Sequence, residues 1–132
     1  CDRYYAYHDS VGRFMLGLCQ PLMCRLIGTT VKPSYTYFIE YVPGSELTPH
    51  TDRTQCEFVV SIQLSLSPCG NQWPIYVCAQ PRMPYRGDQP LPAPELWRKV
   101  ALKEGGAVVF KGREKVHWRE PLPEGWQSAH LL

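Results

Sequence analysis

Ser34-Tyr-Thr-Tyr-Phe-Ile-Glu-Tyr41 is the run that decides the fold. Tyr35, Tyr37, Ile39 and Tyr41 alternate with Thr36, Phe38, Glu40 and Val42. Residues two apart share one face of a strand, and aromatic and β-branched side chains favour that pleated surface. Upstream the period is different. Tyr4, Tyr7, Val11, Phe14 and Leu18 recur at intervals of three and four, which predicts an amphipathic helix from about Tyr4 to Cys19. Pro21 lacks a backbone donor and is expected to end it, leaving Leu22 to Ile27 as a separate turn or short helix. The expectation is a helix laid on a sheet.

Downstream, Pro43-Gly44 marks a turn. Phe58 to Leu66 reads as a second strand, with Ser61, Gln63 and Ser65 on one face and Val60, Ile62, Leu64 and Leu66 on the other. Trp73 to Ala79 is a third, and Ala107 to Phe110, after Gly105-Gly106, a fourth. Val116 to Glu120 and Gln127 to Leu132 complete the set. Seven prolines from Pro68 to Pro94, with Arg82, Tyr85, Arg86 and Asp88 among them, predict a long exposed loop. One helix followed by many short strands predicts a mainly β fold. The expected form is an antiparallel double-sheet roll, jelly-roll or cupin-like, with an N-terminal packing helix.

A length of 132 residues implies one domain, 1–132, and the ends Cys1-Asp-Arg and Ala129-His-Leu-Leu132 read as trimmed. The chain is 44% hydrophobic and 20% charged, which places it among globular chains able to bury a core. A net charge of +2 is too small to argue for nucleic acid or a membrane surface. No apolar run reaches the roughly 18 residues a membrane span needs, and no signal peptide is visible. Cysteines stand at 1, 19, 24, 56, 69 and 78. Their even count permits a disulfide framework, but the spacing is irregular and no Cys-x-x-Cys occurs. Cys19, Cys24, Cys56 and Cys78 lie among apolar residues, where a free thiol behaves as a small hydrophobe. Reduced thiols and a cytoplasmic location are expected.

The chemistry gathers at His50-Thr-Asp52. In extended backbone these two side chains converge, and a third ligand must come from a distant strand. His117, in Val116-His-Trp-Arg119, is the best placed. Two imidazoles and one carboxylate form a facial triad that leaves half of an octahedral iron site open. A lone His-x-Asp arises often by chance. Its setting lifts this one: a strand, a Tyr41-x-Pro-Gly turn, a spacer, His-x-Asp, an apolar strand, then a Gly-Gly-strand-His unit. His8 reads as a helix-surface residue and His130 as facing solvent or core.

Tyr37-Phe-Ile-Glu-Tyr41-Val-Pro-Gly-Ser-Glu-Leu-Thr-Pro-His50-Thr-Asp52-Arg53 resembles the metal-binding segment of the iron(II)/2-oxoglutarate-dependent dioxygenases, nearest to their prolyl 4-hydroxylase-like branch. Glu104-Gly-Gly-Ala-Val-Val-Phe-Lys-Gly-Arg-Glu-Lys-Val-His117 resembles that family's second metal segment. The likeness runs over roughly residues 34–132. It implies a double-stranded β-helix in which His50, Asp52 and His117 hold Fe(II) at the catalytic centre. It also implies 2-oxoglutarate as co-substrate, O2, and hydroxylation of a C–H bond in a small-molecule or peptide substrate, with release of succinate and CO2.

The family commonly places Arg or Lys nine or ten residues after the second metal His, often as Arg-x-Ser. Those positions are Trp126 and Gln127 here, in Trp126-Gln127-Ser128. Alternation offers a substitute. Arg119, two residues from His117, should share its inward face while Trp118 points away. Its planar fork suits a carboxylate. The alternative for Arg119 is a surface pair with Glu120 or Glu124. Tyr41 stands at the position of the family's co-substrate tyrosine. Gln63, polar in an apolar strand, belongs to the same candidate set unless it faces solvent, and Gln127 and Ser128 complete it. Gly112 reads as a bend before His117.

Two other classes compete. One is a ligand-binding roll, with or without metal, that performs no oxidation; the missing cation at 126 and 127 favours it. The other is a cupin-like isomerase or cysteine-type dioxygenase, against which Asp52 argues, because three-His sites are typical there. Residues 51–57 and the loop from Pro68 to Pro94 are expected to frame substrate access, with Arg53, Arg82 and Arg86 as solvated charges.

Overall fold

A computed structural model of the chain describes residues 3–81, 85, 87 and 89–132. Arg82, Arg86 and Asp88 of the proline-rich loop therefore lie outside the described residues. The N-terminal expectation needs correction. Arg3–Tyr7 is a strand, β1, paired antiparallel with β2 (Tyr37–Tyr41) so that Arg3 lies opposite Tyr41 and Tyr7 opposite Tyr37. Three tyrosines in five residues suit a pleated surface, and Tyr5 stacks on Tyr37 at 5.4 Å between ring centroids.

Helix α1 (Ser10–Ile27) follows. The Asp9 carboxylate caps it by accepting from the amides of Val11 and Gly12 at 2.9 and 3.0 Å. Gly28, at φ 76°, closes it by donating to the Cys24 carbonyl at 3.0 Å. The helix runs through Pro21 rather than stopping there. Caps at both ends and the burial of Met23 override the local break.

The packing face is also not the expected one. Gly12 and Met23 are buried, while Val11, Phe14, Leu18, Leu22 and Leu26 are exposed. Gly12 fixes this rotation. A Cβ there would collide with Thr36 Oγ1, so only glycine lets the helix approach the start of β2.

The remaining strands are β3 (Leu47–His50), β4 (Val59–Ser67), β5 (Ile75–Cys78), β6 (Trp97–Val100), β7 (Ala107–Phe110), β8 (His117–Arg119) and β9 (Gln127–Leu131). They form two sheets with every pairing antiparallel, ordered β1-β2-β9-β4-β7 and β3-β8-β5-β6. This is the mainly β, jelly-roll-like architecture expected. Strands β3 and β6 were not anticipated; both have only four residues, and Pro49 lies inside β3.

Two register shifts matter. In β4 the pairing slips between Gln63 and Ser65 opposite β9. Ser61 and Gln63 point inward before the slip, and Leu66 is buried after it, leaving Leu64 exposed. A one-residue bulge switches which face the following side chains occupy. In β3 a shift between Leu47 and His50 places His50 directly opposite His117, and Leu47 opposite Arg119.

The five-stranded sheet supports a core of Ile39, Tyr41, Leu66, Trp73 and Leu122. Trp118 does point away from His117, yet it is buried. It stacks on Tyr76 at 5.4 Å and meets Trp97 edge-on at 4.8 Å, in a second cluster with Cys78, Tyr85 and Val116. Tyr85 thus anchors the proline-rich loop instead of lying exposed, with its hydroxyl donated to the Gln89 carbonyl at 2.7 Å. Cys19, Cys24, Cys56, Cys69 and Cys78 form no disulfide with one another. Among the described residues no helix is long and apolar enough to cross a membrane.

Candidate metal and co-substrate site

His50 ends β3, Asp52 lies two residues further in the following loop, and His117 opens β8. One ligand atom from each can be chosen so that all three lie within 4.8 Å of one another. His50 Nε2 is 3.5 Å from one Asp52 oxygen, and His117 Nε2 is 3.7 Å from the other. Local backbone sets both rings. His50 Nδ1 is 2.7 Å from the Thr48 carbonyl, and His117 Nδ1 is 2.9 Å from the Lys115 carbonyl. A carbonyl only accepts, so each Nδ1 carries a proton, and each Nε2 is the nitrogen turned toward Asp52, free to bind a metal in the neutral ring. That is the tautomer a metal ligand needs.

Electrostatics agree. Burial and the neighbouring His50 push the His117 pKa down to about 4, against the pull of Asp52, so the imidazole is neutral at neutral pH. Burial would raise the Asp52 pKa, but the hydrogen bond with His50 and the adjacent imidazoles of His117 and His50 hold it below the ordinary carboxylate value. The set is two imidazole nitrogens and one carboxylate oxygen, which suits a borderline divalent ion such as Fe(II).

Asp52 is positioned by a residue that sequence reading took for a simple bend. Its amide donates to the Gly112 carbonyl at 2.9 Å. A Cβ on Gly112 would collide with Asp52 Oδ2 and come within 2.6 Å of Val59 Cγ2. Glycine in a strand-like run often marks such a close approach, and that was the available signal. Gly112→Ala is expected to displace the carboxylate and weaken Fe(II) binding by about ten-fold or more, the scale on which metal sites respond to lost support. Titration of metal-free protein with Fe(II) checks this; an unchanged affinity would show that Asp52 moves aside freely.

A cavity of about 1020 Å³ is lined by the triad and, beyond it, by Arg119, His130 and Tyr41. Arg119 is 3% exposed. It donates to the Trp73 carbonyl at 2.7 Å, lies 3.4 Å from His130 Nδ1, and rests over the Trp73 ring at 4.8 Å. Among the described residues no carboxylate is within ion-pair distance, so the surface pair with Glu120 or Glu124 does not form. Burial lowers its pKa to about 10, which still leaves a cation at neutral pH.

His130 was not singled out as a site residue, because its neighbours are set by pairing between distant strands. It lies opposite Ile39 in β2 and Gln63 in β4. Burial and the adjacent Arg119 push its pKa down to about 3. Ser128 Oγ is 2.9 Å from its Nε2. Burial raises the Tyr41 pKa, partly opposed by Arg119, so the phenol stays protonated.

The other candidate residues divide. Ser128 is buried and supports His130 without lining the cavity. Gln63 is buried with neither amide atom hydrogen-bonded to a described residue, and it also lies off the cavity wall. Gln127 is exposed at the start of β9, away from the cavity.

No protein-family profile matches the chain, and no curated protein is similar to it in sequence. Among solved structures it is similar to a prolyl-4-hydroxylase of Pseudomonas putida, with a TM-score of 0.65 at 16% identity over 98% of this chain and 69% of that one. At that identity the likeness is one of fold: the chain has a prolyl-4-hydroxylase-like fold, with a His-Asp-His cluster able to hold a metal.

Proposed function

We propose that this protein is a non-haem Fe(II)/2-oxoglutarate-dependent oxygenase that hydroxylates a C–H bond. The observation that carries the proposal is Arg119, a buried cation with no carboxylate partner among the described residues, on the wall of the cavity that holds the metal triad. An unpaired buried charge is costly, and a fold that retains one beside a facial triad is built to receive an anion. A 2-oxo diacid would meet both demands, since it offers a carboxylate to Arg119 and a second acidic end to the triad.

Each residue then has a task. His50, Asp52 and His117 hold the ion. Arg119 binds the distal carboxylate, and the Tyr41 hydroxyl donates to it. His130, neutral and held by Ser128, keeps Arg119 in place without adding charge. Ile75 and Phe110 line the cavity as apolar walls that limit water, and the Phe110 ring lies 4.7 Å from that of His117. Iron held by His50, Asp52 and His117 would supply the activation of O2, so that one oxygen atom would enter the C–H bond and the other succinate, with loss of CO2.

A second proposal keeps the anion site without turnover: a roll that binds ligand and performs no oxidation. The exposed position of Gln127, where the resemblance would put a basic residue, favours it. One assay separates the two. Fe(II)-loaded protein incubated with 2-oxoglutarate in air is expected to release succinate, slowly even without a primary substrate. Binding of both iron and 2-oxoglutarate with no succinate would leave the binding roll.

A further inference from the structure

The cavity is larger than a five-carbon diacid requires. Its volume of about 1020 Å³ lies at the upper end of small-molecule sites, roughly 300–1,000 Å³. Its lining includes, besides the triad, the inner side of helix α1. There the helix contributes Met15, Leu16 and Met23, with Val31 and Phe58 also on the wall. Met15 and Leu16 are only half-buried, so the inner side of the helix walls an open space instead of sealing on the sheet. Methionine side chains adapt to irregular apolar shapes.

The charged residues of the chamber are of one net sign. Setting aside Asp52 and Arg119, already assigned to the metal and the co-substrate, the charged lining residues are Arg3, Lys32, Arg53 and Glu57. Glu57 pairs with Arg113 at 3.5 Å. Neither Lys32 nor Arg53 is within ion-pair distance of a carboxylate among the described residues. Arg53 directly follows the candidate ligand Asp52 in sequence, and both line the cavity. The chamber is therefore an apolar throat with a cationic rim.

We propose that the primary substrate is an apolar organic acid, its hydrocarbon body under α1 and its carboxylate at Lys32 and Arg53. This rests on the oxygenase proposal for the reaction, but not for the binding. The test uses the whole chain, loaded with Fe(II) and 2-oxoglutarate and titrated calorimetrically with decanoate, decan-1-ol or decyltrimethylammonium. Decanoate is expected to bind about ten-fold more tightly than the alcohol, the scale of two exposed ion pairs, and the ammonium least. It should also accelerate succinate release. Substituting Lys32→Gln and Arg53→Gln together should remove the preference for the acid without weakening the alcohol. Leu16→Trp should fill the chamber and weaken both.

Equal affinity for acid and alcohol, no saturable binding by either, or acceleration by a proline-containing peptide and not by decanoate would overturn the proposal. The charge-removing variants alter exposed side chains, so the comparison stands even if Leu16→Trp fails to fold. Decanoate binding by a protein that takes up no iron would instead overturn the oxygenase proposal and leave the chamber as a binding site.

Discussion

His117→Ala is expected to abolish stoichiometric Fe(II) binding. The ring supplies one of three ligands, is 4% exposed, and is aimed by a carbonyl two residues away in its own chain. Loss of an outer-shell partner alone costs metal sites roughly 10–100-fold in affinity, and loss of a ligand should exceed that range. Wild-type protein stripped of metal should take up one equivalent of iron; the variant should show no saturation at comparable concentrations. Circular dichroism of the metal-free forms controls for misfolding, since His117 also packs against His50 and Phe110. One full equivalent of iron retained in folded His117→Ala protein would mean that the triad is wrongly assigned.

The second large effect falls on the co-substrate. Truncating one partner of a buried, hydrogen-bonded charge pair costs roughly 2–5 kcal/mol. Arg119→Ala should therefore weaken 2-oxoglutarate binding by a factor on the order of thirty or more, with iron binding nearly unchanged. The visible charge-transfer band of Fe(II)-loaded protein, titrated with 2-oxoglutarate, reads this directly. Arg119→Met adds a signature that a purely structural arginine would not give. It replaces a buried cation without a counter-ion by an apolar chain of similar length, which removes the cost of keeping that charge out of water. The thermal midpoint of the ligand-free protein should rise while co-substrate affinity collapses. A lowered midpoint together with intact affinity would make Arg119 a structural residue and move the anion site elsewhere.

Much of this site was legible in the sequence because its parts obey local rules. Tyr35 to Tyr41 alternates, and its C-terminal part, Tyr37–Tyr41, is a strand with Ile39 and Tyr41 buried. Arg119 could be turned inward from His117 by counting two, since the segment between them stays extended. What escaped was non-local. Tyr4 and Tyr7 match a helical interval with Val11 and Phe14 by coincidence; only pairing with β2 makes them a strand. The helix turns the stripe Val11, Phe14 and Leu18 outward because Gly12 must face Thr36, a contact invisible until both elements are placed. His130 acquires its role from Ile39, Gln63 and Arg119, three residues on three other strands. The bulge in β4 exchanges the inward and outward faces halfway along, a change that a strict two-residue count cannot detect.

The pairing of β3 with β8 carries one more consequence. His50 and Asp52 lie on one side of the proline-rich loop and His117 on the other, with 64 residues of chain between Asp52 and His117. An ion held by all three closes that long span as a crosslink would, and anything bound only by the folded chain shifts the folding equilibrium in its favour. Metal-loaded protein is therefore expected to resist proteolysis longer than the metal-free chain.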